Sequence, residues 1–338
     1  MSSRLKTVAQ YILILGVTLF LVYFSLAGIK VAEGENKWDF LLKTWQSADK
    51  LWLFIMAAIA LLSHFIRAVR WRMLMEPAGH HPTLTNSFLS LMVGYAVNLI
   101  IPRGGELSRC YNLYKLDKTP IEISFGTVIV ERLVDVLCLL VLIGLAFMAE
   151  STRLFEFIRT LPLGKGDNSV RYMILAAVFV IAVLAIIITR YIVQRNTRIK
   201  EFIHQKWQGF REGLMSIFKL QRKGLFFFHS MTIWFLYFLM SYATIQAFPQ
   251  THHLGFSAVL SLFAIGSIAM ASPTPGGAGS YHVLVPQGLV FLYGIPKNDA
   301  VAFTFIFHGW QTVIMIVFGV ISIIATSLLI KRGKAAAQ

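Results

Sequence analysis

Long apolar runs, separated by short polar or charged segments, recur from Val8 to Ile330. A membrane-spanning helix needs about 20 mostly apolar residues. That length predicts full spans at roughly 8–29, 51–70, 127–149, 171–190, 225–248 and 300–330. Two further stretches, roughly 84–101 and 254–271, end in proline–glycine clusters rather than charged loops. Ser25-Leu26-Ala27 has the small residues of a signal-peptidase site, but the apolar run before it is too long for a cleavable signal, so an uncleaved anchor is expected. In the segment 196–223, Ile199, Phe202, Ile203, Trp207, Phe210, Leu214, Ile217 and Phe218 stand near helical spacing among basic residues. This predicts a cytoplasmic amphipathic helix, either lying on the inner leaflet or packed on the bundle.

Composition agrees with the pattern. Of 338 residues, 57% are hydrophobic and 14% charged, against about 25% charged in soluble domains. An ordinary soluble protein is excluded, and so is a soluble core with one anchor. Cys110 and Cys138 form no disulfide framework, and no zinc-ligand spacing occurs. No metal or cofactor is therefore expected. The formal charge of +15 fits positive cytoplasmic loops beside anionic lipid, with no nucleic-acid partner.

Loop charges set an expected orientation. Arg4 and Lys6, the nine basic residues of 190–224, and Lys331, Arg332 and Lys334 mark both termini and that middle segment as cytoplasmic. The balanced loops 30–50 and 150–170 belong outside. A full span at 84–103 would leave Arg103, Arg109, Lys115 and Lys118 external, whereas re-entrant hairpins avoid this and are tolerated where they line a cavity. The expected fold is an all-α polytopic membrane protein forming a single transmembrane domain over 1–338. It has about six full transmembrane helices plus two oppositely oriented re-entrant helical hairpins.

The hairpins carry a repeat. Leu89-Ser90-Leu91 precedes Pro102-Arg103-Gly104-Gly105, and Leu260-Ser261-Leu262 precedes Pro273-Thr274-Pro275-Gly276-Gly277, with 13 residues from first leucine to proline in both. Pro120 then precedes Glu131 and Arg132 by 11 and 12 residues, as Pro296 precedes Phe307 and His308. Units of about 84–149 and 254–330, oppositely oriented, would form an inverted repeat with its site where the broken helices meet. The plainer alternative is a short loop between two thin spans.

Candidate chemistry lies at these breaks. Gly104 and Gly105 would let backbone approach a ligand, a helix starting there would offer N–H groups to an anion, and Arg103 and Arg109 would add charge-assisted bonds to phosphate. The alternative reading is that Glu106 and Arg109, one turn apart, pair with each other. Glu131, Arg132 and Asp135 share one apolar run, and charges of both signs inside a membrane imply pairing; Arg132–Glu106 or Glu131–Arg103 are the expected partners. Glu131 or Asp135 as a proton carrier is the alternative to a structural ion-pair lock. Pro275, Gly276, Gly277 and Gly279 repeat the glycine logic without charge, and His282 and His308 occupy polar positions beyond it, with Asn98, Gln287 and Gln311 as further lining candidates. Arg67 to Arg72 reads as a cytoplasmic snorkelling anchor near lipid headgroups. His80-His81 and His252-His253 have no assigned role.

No phosphate-binding G-x-x-x-x-G-K-[ST] motif occurs. Asn98 to Arg109, Glu131 to Asp135 and Pro273 to Gly279 resemble the lysylphosphatidylglycerol synthase transmembrane (flippase-like) family over nearly the whole chain. The resemblance implies a bacterial inner-membrane protein with a lipid-translocating domain. Lipid aminoacylation, which belongs to a soluble domain not expected here, is not carried over. His282 stands where the family often has an acidic residue, and His308 where arginine is common. The expected function is a flippase-like translocator of an anionic phospholipid or polyprenyl-phosphate lipid, passive or ion-coupled. A membrane-embedded lipid-linked glycosyl- or phosphotransferase using Glu131 or Asp135 as base is the alternative, and a lipid-binding accessory protein the third.

Overall fold

A computed structural model describes Tyr23 and residues 36–160, 197–272 and 274–335. The expected anchor at 8–29 and span at 171–190 lie outside the described residues. Those residues form ten helices and no strand: α1 Lys37–Ser47, α2 Lys50–Met75, α3 Leu84–Asn98, α4 Gly105–Asp117, α5 Ile121–Thr160, α6 Thr197–Met215, α7 Lys223–Gln246, α8 Phe256–Ala271, α9 Ser280–Tyr293 and α10 Lys297–Ala335. Short 3₁₀ turns follow α2 and α8.

Side chains set the early helix starts. Asn36 accepts from the Trp38 N–H, Asp49 from Leu51 at 2.8 Å, and Thr83 from Asn86 at 3.1 Å, each satisfying a donor that lacks a helical partner. Among the described residues, three helices are long and apolar enough to cross a membrane: Lys50–Ala78, Lys223–Gln246 and Lys297–Arg332. They match the expected spans at 51–70 and 300–330, and the span expected at 225–248 up to Gln246. The expected span at 127–149 is helical within α5 but is not among the three. The longest helix breaks its regular backbone at Glu150 (φ −142°, ψ 48°).

α3, α4, α8 and α9 have 15, 13, 16 and 14 residues, about 20–24 Å each at 1.5 Å per residue, short of a roughly 30 Å hydrocarbon layer. α3 and α4 pack closely. A Cβ on Gly105 would lie 2.2 Å from the Gly94 carbonyl oxygen and 2.5 Å from Asn98 Nδ2. α6 packs on the start of α5, where a Cβ on Gly213 would meet the Ile123 oxygen at 2.2 Å, and Lys206 donates to Glu122 at 2.8 Å. The expected amphipathic segment is helical over Thr197–Met215, ending before Ile217 and Phe218, and is seated on the bundle, with Trp207 still exposed. One large apolar cluster, including Phe248, Val259, Leu289 and Phe303, joins α7 to α10 with α2 and α5.

Candidate functional site

Three helices bring arginines and carboxylates together inside the bundle. On α2, Arg67 and Arg70 are three residues apart and share a face. Arg67 meets Asp135 at 2.5 Å and donates to the Tyr237 hydroxyl at 3.1 Å. Arg70 reaches Asp135 at 2.9 Å, Glu131 at 3.3 Å and the Ser230 hydroxyl at 3.2 Å. From α4, Arg109 donates to the other Glu131 oxygen at 2.6 Å, and its guanidinium lies 4.6 Å from the Trp71 ring centre. The Trp71 indole in turn donates to Thr127 at 3.0 Å. Arg70 and Glu131 are wholly buried. At the margin, Arg132 donates to Glu106 at 2.8 Å.

Beside this network lies a cavity of about 550 Å³, lined from α2, α3, α4, α5, α7, α8, α9, α10 and both breaks. That size is within the roughly 300–1,000 Å³ range of small-ligand sites. Its charged lining residues are Arg67, Arg103, Arg132, Glu106 and Asp135. Three arginines against two carboxylates leave one positive charge uncompensated. With Arg70, Arg109 and Glu131 behind them, five arginines stand against three carboxylates. Arg103 carries the surplus at the surface of the cavity: its guanidinium donates to the Ala271 carbonyl at 2.6 Å, and no carboxylate among the described residues lies within ion-pair distance of it.

The two breaks meet here. In the first, Asn98 Oδ1 accepts from the Gly105 N–H at 2.8 Å, capping α4 with a side chain from the end of α3. Arg103 itself takes the left-handed conformation (φ 61°). In the second, Gly276, Gly277 and Gly279 have φ of 57°, 76° and 89°, a region that glycine enters without steric cost. Arg103 crosses to Ala271, and a Cβ on Gly276 would lie 3.0 Å from Leu99 Cδ2.

The cavity collects Arg103, Glu106, Arg132, Asp135, Gly276 and Gly277 of the expected site, with Asn98 and Gln311. Gly104, Gly105, Arg109, Glu131, Pro275, Gly279, His282 and His308 do not line it. Gly105 approaches α3 rather than a ligand, and Arg109 is consumed by Glu131. Of the expected ion pairs, Arg132–Glu106 forms, whereas Glu131 pairs with Arg109 and Arg70 in place of Arg103. Glu131 and Asp135 are both held by arginines, the arrangement that the ion-pair-lock reading expects. Gln287 is exposed and outside the lining. His282 and His308 are buried and meet edge to face behind the second break.

The snorkelling reading of Arg67 and Arg70 is overturned: they are 5% and 0% exposed. Their helix continues through the buried Met73, Leu74 and Met75, so the arginines lie inside the bundle where acids meet them. His64, Arg67 and Arg70 at i, i+3 spacing was the available signal. Tyr95 and Tyr237, also in the lining, had no sequence signal beyond helical phase.

Together the helices and the arginine-rich cavity define a helical membrane protein with an internal polar site. The chain belongs to the family described as the lysylphosphatidylglycerol synthase TM region, whose profile matches residues 11–319. It is similar to the UPF0104 membrane protein PH1989 of Pyrococcus horikoshii, 24% identical over 315 residues, covering 87% of this chain and 90% of that one. It also resembles the UPF0104 membrane protein MJ1595 of Methanocaldococcus jannaschii, 27% identical over 177 residues. That match covers 49% of this chain and about half, 48%, of the relative. Both relatives are archaeal, so they support a membrane location without a bacterial one. No solved structure matches.

Proposed function

We propose that this protein translocates an anionic lipid between leaflets, binding the headgroup phosphate in the cavity between the two breaks while the acyl chains stay in the bilayer. The uncompensated Arg103 carries this reading. Arg103 has no carboxylate partner among the described residues and lines a cavity that holds more arginine than carboxylate, so an anion there gains a charge-assisted hydrogen bond without displacing an acid. Arg132 and the Gly276–Gly277 backbone complete the surroundings of such a headgroup. In this reading the short helix pairs are re-entrant and open toward opposite sides, both termini are cytoplasmic, and the lipid is an anionic phospholipid or polyprenyl phosphate. The transferase alternative needs a free carboxylate base, and Glu131 and Asp135 are engaged by arginines.

The test is reconstitution into vesicles with fluorescent phosphatidylglycerol, scoring movement between leaflets alongside mass spectrometry of copurified lipid. Arg103→Ala is expected to lose most bound lipid and transport, and Arg103→Lys to keep part, because ammonium lacks the two-pronged geometry of guanidinium. Unchanged lipid content in Arg103→Ala, with a large fall in melting temperature, would make Arg103 a structural strut and sink the reading.

A further inference from the structure

The helices after each break correspond at a constant separation of 176 residues. α4 and α9 both end on a left-handed residue, Lys118 (φ 60°) and Gly294 (φ 65°). Pro120 and Pro296 follow, and α5 and α10 begin at Ile121 and Lys297. The same separation matches Glu106 with His282, Arg132 with His308 and Asp135 with Gln311. In the first half Arg132 donates to Glu106 at 2.8 Å. In the second, the matching imidazoles touch with ring centroids 4.8 Å apart. A pair of fixed charges is replaced by a pair that gains charge only by taking up a proton.

Hydrogen bonds assign the tautomers. His308 Nε2 lies 3.0 Å from the Gly276 carbonyl oxygen, so Nε2 carries hydrogen. The Gly279 N–H donates to His282 Nδ1 at 3.4 Å, so that nitrogen is unprotonated. A proton there would break this contact and put positive charge at the N-terminus of α9, where the helix dipole opposes it. A proton on His308 Nδ1 leaves the Gly276 contact intact. Two imidazolium rings this close would repel strongly, so the pair has room for one proton, on His308.

We infer that His308, supported by His282, binds a single proton that enters together with the anionic headgroup; this rests on the translocator reading. The link is direct, because Gly276, whose carbonyl His308 holds, and Tyr281, whose ring stacks on His308 at 5.3 Å, both line the cavity. The cavity already has surplus positive charge, so a proton on His308 alone adds to it, while a phosphate behind Gly276 and Tyr281 offsets it.

The neighbouring elements leave this balance to the ligand. α8 has no ionisable side chain, and α3 brings Tyr95. α2 contributes His64 and Arg67 at the cavity, α7 Tyr237, the first break and α4 Arg103 and Glu106, and α5 Arg132 and Asp135. Further along, Glu150 on α5 binds Tyr293, three turns from His282. α1, seated on α10 through Trp45 and Trp310, carries Lys37, Asp39 and Lys43.

Calorimetric titration of the full-length protein with dihexanoylphosphatidylglycerol, in two buffers of unlike ionisation enthalpy, counts protons taken up per lipid bound. Close to one is expected, with affinity rising about tenfold for each unit of falling pH while His308 is neutral in the free protein. His308→Gln keeps an N–H for the Gly276 carbonyl but accepts no proton, so binding should persist and uptake vanish. His282→Asn keeps an acceptor for Gly279 and should retain uptake. Lipid binding without proton uptake in the wild type, or undiminished uptake in His308→Gln, overturns the inference and leaves the translocator reading standing. No lipid binding by the wild type takes down both. Should His308→Gln not fold, nitrogen-15 spectra of histidine-labelled wild type decide the point: a new imidazolium signal on lipid addition, retained in His282→Asn, is expected, and its absence refutes the site.

Discussion

Replacing Glu131 by glutamine removes the carboxylate shared by Arg109 and Arg70. Its oxygens lie 2.6 Å and 3.3 Å from those guanidinium groups, and all three side chains are 3% exposed or less. Arg70 keeps Asp135 at 2.9 Å, but Arg109 is left with the Trp71 ring as its nearby counterpart. Breaking a buried pair from one side costs about 3–5 kcal/mol; glutamine retains an acceptor oxygen, which puts the expected loss near the lower end, about 3 kcal/mol. Substituting both partners, Arg109→Met with Glu131→Met, should recover much of it, because an apolar pair carries no desolvation penalty; about 0.5–2 kcal/mol remains for the lost ring contact. Unfolding by SDS in mixed micelles, followed by tryptophan fluorescence, measures these differences. A Glu131→Gln loss below about 1 kcal/mol, the range of exposed pairs, would refute the reasoning. So would a double variant that loses the full sum of its two single variants.

Gly213→Ala should detach α6 from α5 and expose it to protease, since the new Cβ would sit 2.2 Å from the Ile123 oxygen; Gly144→Ala, with nothing within 4 Å, should be neutral or gain about 0.5–1 kcal/mol in the same unfolding assay. Glu150→Ala should strand the hydroxyls of Ser257, Ser261 and Tyr293 that donate to it, costing about 1–3 kcal/mol, and hydrogen exchange at the start of α8 should rise. Cysteines placed beside Lys118 and Lys297 should label from opposite sides of the membrane; labelling from one side would end the inverted-hairpin reading.

Helical class, the family and the position of both breaks were legible because each has a strong local signal: a long apolar run, or a proline with adjacent glycines. The partner of each charge was not. Pairing depends on which helix faces are brought together, so Arg109 found Glu131, 22 residues away, and Arg67 found Asp135 across 68 residues. The basic cluster at Arg67 was misread because charge at the end of an apolar run looks like an interface anchor until its helix is seen to continue buried to Met75. Glycine was legible in number but not in role: Gly105 serves helix packing, while left-handed backbone in the first break falls on Arg103.

The matched halves keep a backbone plan and divide the chemistry. Beyond each break, the left-handed cap, the following proline and the start of the next helix recur at one separation, whereas Glu106, Arg132 and Asp135 become His282, His308 and Gln311. Fixed charge therefore enters the cavity from the first half, and the second half contributes backbone, hydroxyl groups and the Gln311 amide, with its imidazoles held one layer behind. A break that offers backbone must bring it close, which accounts for three glycines at positive φ there. A break that offers a guanidinium needs reach instead, and Arg103 spans the gap to the Ala271 carbonyl at 2.6 Å. The same bond that joins the two breaks leaves the charge of Arg103 unneutralised, because a carbonyl satisfies a donor without cancelling its charge. An arriving anion can therefore compete for Arg103 without first displacing a carboxylate.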